Sequence, residues 1–225
     1  FPILCNEVLI GIGNMMINIV LGHQSEQAIA AVAVFRTLEG LIIAFFSGFS
    51  NAATVLVGKE VGAGNHETAY QRAWRLIYLC SALIGTACLV LFAVHNPLLH
   101  AMGLHDESYR IGTGMLMIYG IAAVIRMGNW VQNDTYRSAG DAAFGSIMEI
   151  TFMYLLVLPC VYGANYGLHA PFLLVFALCY VDEPIRYVIM QIHMYSAQWI
   201  KPVSDAGRAT IDEFQKNHSP RHKKH

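Results

Sequence analysis

Two consecutive segments decide the fold: "IGTGMLMIYGIAAVI", Ile111 to Ile125, and "RMGNWVQNDTYRSAGD", Arg126 to Asp141. The first carries no charged side chain, whereas the second carries two arginines, two aspartates, two asparagines and a glutamine. What those charges face depends on the solvent around the helix that precedes them.

Composition identifies that solvent. Hydrophobic residues make up 56% of the 225, charged residues 13%, and mean hydropathy is +0.46. A water-soluble domain is about 45–50% apolar and about 25% charged, so the chain is expected to be a membrane protein. Six apolar stretches stand out, Ile3–Leu21, Ile29–Val57, Leu76–Val94, Ile111–Val131, Phe144–Tyr162 and Leu168–Met194. Each is long enough to cross a hydrocarbon core of about 30 Å, which takes about 20 helical residues. No ten-residue alternation of an outer-membrane barrel is present, so helices must satisfy the backbone. The predicted architecture is all-α and polytopic, with residues 1–200 as a six-helix transmembrane lobe and 201–225 as a basic tail that frays.

The 14 Lys and Arg give an orientation. Lys59, Arg72, Arg75, Arg137 and Lys201, with the tail cations Arg208, Lys216, Arg221, Lys223 and Lys224, fall on one side. Arg110 stands alone on the other, which predicts that both ends of the chain are cytoplasmic in an inner (plasma) membrane. Arg36, Arg126 and Arg186 lie in or at the ends of apolar stretches, where a charge must face protein or enclosed water. Cys5, Cys80, Cys88, Cys160 and Cys179 are irregularly spaced within spans and read as buried small hydrophobes, with neither disulfide nor metal spacing. The chain opens "FPILCNEVLIG", without methionine or signal peptide and already inside an apolar helix, so an N-terminal part is expected to be missing.

Polar faces run along several spans. Glu7, Gly11, Asn14 and Asn18 are spaced by 4, 3 and 4 and share an arc of about 60° on the first helix. An ionisable group at the depth of Glu7 is a functional candidate, with a helix–helix hydrogen bond as the plainer reading. On the second helix, Arg36 and Glu39 can pair at i,i+3. Arg126, Asn129, Asn133 and Arg137 share an arc of about 80°, a wet face lining a cavity or a cytoplasmic vestibule. Asp141 follows a glycine turn and reads as a helix N-cap. Pro184 should kink the sixth span, with Asp182 and Arg186 able to pair across the kink. Trp74 beside Arg75, and Trp199 near Lys201, read as interfacial anchors.

Three motifs in order, "FPILCNE", "GFSNAATVLVGKEVGAGNHETAYQRAWR" and "TYRSAGDAAF", resemble the C-terminal lobe of the MATE multidrug and toxic compound extrusion transporters. That resemblance covers about Phe1 to Lys201. It implies helices seven to twelve of a two-lobed secondary antiporter, with the N-terminal lobe absent from the sequence. It also implies efflux of a cationic or amphipathic small molecule in exchange for H+ or Na+, with no cofactor and membrane lipid as the solvent. Glu7 matches the family's acidic ion-coupling position, and Asn14, Asn18, Arg36, Glu39, Arg126, Asn129 and Asn133 are the expected cavity lining. One departure is plain: where parts of the multidrug branch carry a further carboxylate on the tenth helix, the nearest charged residue here is Arg126. A lipid-linked precursor flippase of the same broad superfamily is a second reading, and a membrane scaffold without transport a third. No nucleophile elbow, metal motif or phosphate loop suggests an enzyme, and no nucleic-acid partner is expected.

Overall fold

A computed structural model describes residues 2–23, 25–202 and 204–218. The side chain of Cys5 and the tail cations Arg221, Lys223 and Lys224 lie outside the described residues. Among the described residues every regular element is helical. The order is α1 (Pro2–Gly22), α2 (Glu26–Ala63), α3 (His66–Ala93), α4 (His95–Ala101), α5 (Asp106–Ser138), α6 (Ala142–Phe152), α7 (Leu158–Tyr162), α8 (Phe172–Leu178), α9 (Asp182–Tyr195) and α10 (Asp205–His218).

Four helical segments, Glu26–Ala63, His66–Ala93, Asp106–Ser138 and Ala142–Gly167, are long and apolar enough to span a membrane. With α1 before them and the α8–α9 pair after, they give the six rods expected. Leu41, Phe45, Leu89, Ile121 and Leu155 stand on the outside of the bundle. Exposed side chains of that size and number need lipid, or an apolar partner, as their solvent. Inside, alanines such as Ala53, Ala69, Ala73 and Ala123 are buried where helices meet, because small residues let backbones approach. The long α5 is the central rod, packed against α2, α3, α6 and α9.

Several predicted boundaries move outward. The second helix has 38 residues, about 57 Å, so it outruns the bilayer core and ends in a projecting turn. That turn is closed by Gly64 at φ 84°, whose N–H bonds to Val61 O at 3.2 Å while Asn65 N–H reaches Glu60 O at 2.9 Å. Only a residue without Cβ adopts this left-handed cap freely. The fifth rod is interrupted by wide π turns at Met153–Val157 and Gly163–Gly167. Pro159, which lacks an N–H, follows the first of them. The sixth rod breaks at Cys179–Val181, one turn before Pro184. Glu183 N–H takes Tyr180 O at 3.2 Å, the carbonyl that proline cannot serve.

Three expectations are corrected. The tail does not fray from Lys201: Asp205–His218 is a helix docked on α2 and α3, with Phe214 buried and His66 Nε2 2.9 Å from Gly207 O. Its apolar Ile211 and Phe214, three apart, give the packing face that the polar composition hid. Trp199 is no interfacial anchor, being fully buried with its ring N–H donated to Met194 O at 3.1 Å. Asp141 does precede α6, yet its carboxylate caps nothing; it pairs with His193 at 2.9 Å and Lys201 at 2.8 Å, tying three segments together.

Candidate functional site

The polar face of α5 becomes one wall of a charged cleft whose other walls are α1, α2, α6 and α9. The cleft is built from ion pairs. Asn18 Oδ1 on α1 accepts from Arg36 Nη2 at 2.8 Å, and Arg36 Nη1 donates to Glu39 Oε2 at 2.6 Å, the predicted i,i+3 pair. Glu39, only 3% exposed, also accepts from Arg126 Nη1 at 2.9 Å. Arg126 in turn lies 3.8 Å from Glu183, and its guanidinium sits over the rings of Trp130 and Tyr180 at 5.9 and 5.6 Å. Glu183 Oε2 accepts from Arg186 at 2.8 Å and from Asn129 Nδ2 at 2.7 Å. Arg186 closes the chain on Asp182 at 3.5 Å, the pair predicted across the kink.

A looser group lies nearer the end of the bundle that holds the Gly64 turn and α10. Arg137 reaches Glu7 at 3.4 Å and Asp134 at 3.8 Å, while Ser50 Oγ donates to Asp134. Between the two groups, Asn133 Nδ2 donates to Glu149 Oε2 on α6 at 3.4 Å. This approach requires a glycine at 145, because a Cβ there would collide with Asn133 Oδ1.

Two chambers result. One, of about 110 Å³, is bounded by Asn14, Arg36, Arg126, Glu149 and Arg186. The other, of about 230 Å³, is bounded by Glu7, Asn133, Asp134, Arg137 and Glu149. Ile10, Trp130 and Glu149 border both.

Of the expected site residues, Asn14, Arg36, Arg126, Asn133 and Glu7 border these chambers. Asn18 is exposed and holds Arg36. Two expected lining residues are corrected. Glu39 is buried behind the wall as the shared acceptor of two arginines. Asn129, 2% exposed, touches only a crevice of about 10 Å³ and serves as the partner of Glu183. The Glu7 side chain is 59% exposed and not enclosed.

Three carboxylates went unmarked in the sequence. Glu149 sits inside the fifth apolar stretch, where the depth rule that singles out Glu7 applies equally. Asp134 lay within the quoted polar face but off its arc, and Glu183 was hidden beside Asp182.

The MatE family model matches residues 2–162. The uncharacterized transporter YisQ of Bacillus subtilis (strain 168) is 24% identical over 195 residues, covering 84% of this chain and 42% of the relative. The multidrug and toxin extrusion protein 1 of Danio rerio is 24% identical over 190 residues, covering 82% of this chain and 31% of the relative. A solved multidrug resistance MATE family transporter of the MOP superfamily, in an outward-facing conformation, superimposes with a TM-score of 0.79 at 18% identity, over 90% of this chain and 45% of that one. This chain thus spans less than half the length of each. From the six rods and the family match over most of its length, the chain belongs to the MatE family.

Proposed function

We propose that this chain is one lobe of a secondary antiporter that exports organic cations or amphipathic compounds in exchange for H+ or Na+. The lobe sits in the plasma membrane with the α10 end facing the cytoplasm, and it rocks against a second lobe to expose the cleft alternately. The observation that carries this reading is the charge of the cleft: Glu7, Glu39, Asp134, Glu149, Asp182 and Glu183 outnumber Arg36, Arg126, Arg137 and Arg186. A net-acidic cleft inside an apolar bundle attracts cations and repels the anionic headgroup that a lipid flippase would carry. The name of the Danio rerio relative, a multidrug and toxin extrusion protein, supports the same substrate class.

Glu7 is the coupling group in this reading. It shares Arg137 with Asp134, so protonation or ion binding at Glu7 leaves the arginine a second acceptor and shifts the balance between inward and outward states. The test is uptake of a fluorescent organic cation by proteoliposomes holding the full-length protein, under an imposed pH or Na+ gradient. Wild type should respond to one gradient, and Glu7→Gln should lose that response. A wild type indifferent to both gradients overturns the antiport reading; undiminished flux in Glu7→Gln removes that residue from coupling.

A further inference from the structure

We propose that Glu149 is a protonation site that links the two chambers of the lobe, accepting a proton from the Glu7 side and releasing it to the arginine-lined side. The geometry singles it out. It borders the 110 Å³ chamber and the 230 Å³ chamber alike, and it is the ionisable group shared by both linings. It is half-buried on α6, in the first half of a segment long and apolar enough to cross a membrane.

Its partners differ in kind from those of its neighbours. Glu39 has Arg36 and Arg126 within 2.9 Å, and Glu183 has Arg186 at 2.8 Å. Asp182, Glu7 and Asp134 each have an arginine within 3.8 Å. Neutralising Glu39, Glu183 or Asp182 weakens a buried ion pair and leaves a guanidinium under-compensated in a low dielectric, and neutralising Glu7 or Asp134 gives up one of the two acceptors of Arg137. Glu149, among the described residues, makes no ion pair and accepts only from Asn133 Nδ2 at 3.4 Å. It is therefore the carboxylate that changes charge without breaking a bridge.

The same amide is prepared for the neutral form. Asn133 Oδ1 is buried with no hydrogen-bond partner, as is Asn129 Oδ1 one turn earlier. A carboxylate offers these acceptors nothing, whereas a protonated Glu149 supplies an O–H donor beside Asn133. Groups facing the site from each neighbouring helix fix the electrostatics. Glu7 comes from α1 and Arg36 from α2; α5 contributes Arg126, Asp134 and Arg137. From α9 come Asp182, Glu183 and Arg186. In the uptake step an O–H bond forms on a Glu149 oxygen as one breaks in a hydronium of the Glu7 chamber, leaving water. Release reverses this to water on the other side.

Protonation of Glu149 stands by itself, while its part in coupling rests on the antiport reading above. The test is infrared absorption of protonated carboxyl groups as the purified full-length protein is titrated with acid. Wild type should show a carboxyl band that is missing from Glu149→Gln and retained in Glu7→Gln; identical spectra for wild type and Glu149→Gln overturn the proposal. Asn133→Ala keeps the carboxyl but deletes its amide partner, and should move both the band's frequency and its midpoint. An unmoved band overturns the proposal as well. In proteoliposomes, Glu149→Gln should lose about tenfold of gradient-driven flux, within the usual range of coupling energies, and lose less of gradient-free substrate exchange. Equal loss of both makes Glu149 merely structural and overturns its coupling role. A Glu149 band in a wild type that ignores both gradients would sink the antiport reading and leave the protonation site standing.

Discussion

The two groups of charges along α5 are built on opposite plans. Around Arg126, three carboxylates are buried and held by arginines; Glu39, Glu183 and Asp182 are all at or below 6% exposure. Around Arg137, the partners are longer and wetter, with Glu7 at 3.4 Å and 59% exposed and Asp134 at 3.8 Å and 31% exposed. Burial in low dielectric makes the first group costly to break and so fixes the helices in register. Exposure makes the second group cheap to rearrange, which the proposed antiport would require of a group that gains and loses an ion. One polar face thus holds a brace and a looser group that the proposed antiport would use as a switch, and the difference comes from burial and not from residue type.

The largest expected effect tests the brace. Glu39→Ala leaves Arg126 without its 2.9 Å acceptor and Arg36 without its 2.6 Å one. Removal of one partner of a buried pair costs about 3–5 kcal/mol, with the low end expected because Arg36 is 39% exposed. Denaturant or thermal unfolding of the purified protein measures it, and a loss no larger than that of a surface pair would erase the distinction drawn here. Next comes the joint between the two groups. Gly145→Ala places a methyl against Asn133 Oδ1 and should cost about 1–3 kcal/mol through overpacking. Combining it with Asn133→Ala should recover most of that loss in a double-mutant cycle, whereas simple additivity would show that the contact does not govern the packing.

How much of this was legible follows from sequence separation. The rods, the Arg36–Glu39 pair and the Asp182–Arg186 pair depend on apolar runs and on i,i+3 or i,i+4 spacing, which the helix period fixes. The bond from Arg126 to Glu39 spans 87 residues, and those from Asp141 to His193 and Lys201 span 52 and 60. No periodicity encodes such meetings, so Asp141 read as a cap and Glu39 as lining. Trp199 misled for the same reason. Its place near Lys201 looked interfacial, but packing against Tyr136 and Tyr70 buries it. Trp199→Phe should therefore cost about 1 kcal/mol through the lost bond to Met194 O, measurable by unfolding; an anchor at the interface would lose almost nothing. Glu149 is different again, since the rule for charges at depth applied to it and only the apolar company around it obscured the signal.

The smallest expected stability change is at Glu7, and that smallness is informative. Its pair with Arg137 joins side chains 59% and 26% exposed, so Glu7→Gln should change unfolding free energy by less than about 1 kcal/mol. Arg137 keeps Asp134 as a second acceptor, so no guanidinium is stranded when the charge at Glu7 disappears. The same substitution is expected to abolish the response of flux to an ion gradient. A residue that is nearly silent in unfolding and decisive in transport is one whose charge is used to choose between conformations, because its energy enters the difference between states and not the stability of either. If Glu7→Gln instead destabilised the protein as much as Glu39→Ala, the carboxylate would be sealed in the bundle like the others, and the switch would have to be sought elsewhere along α5.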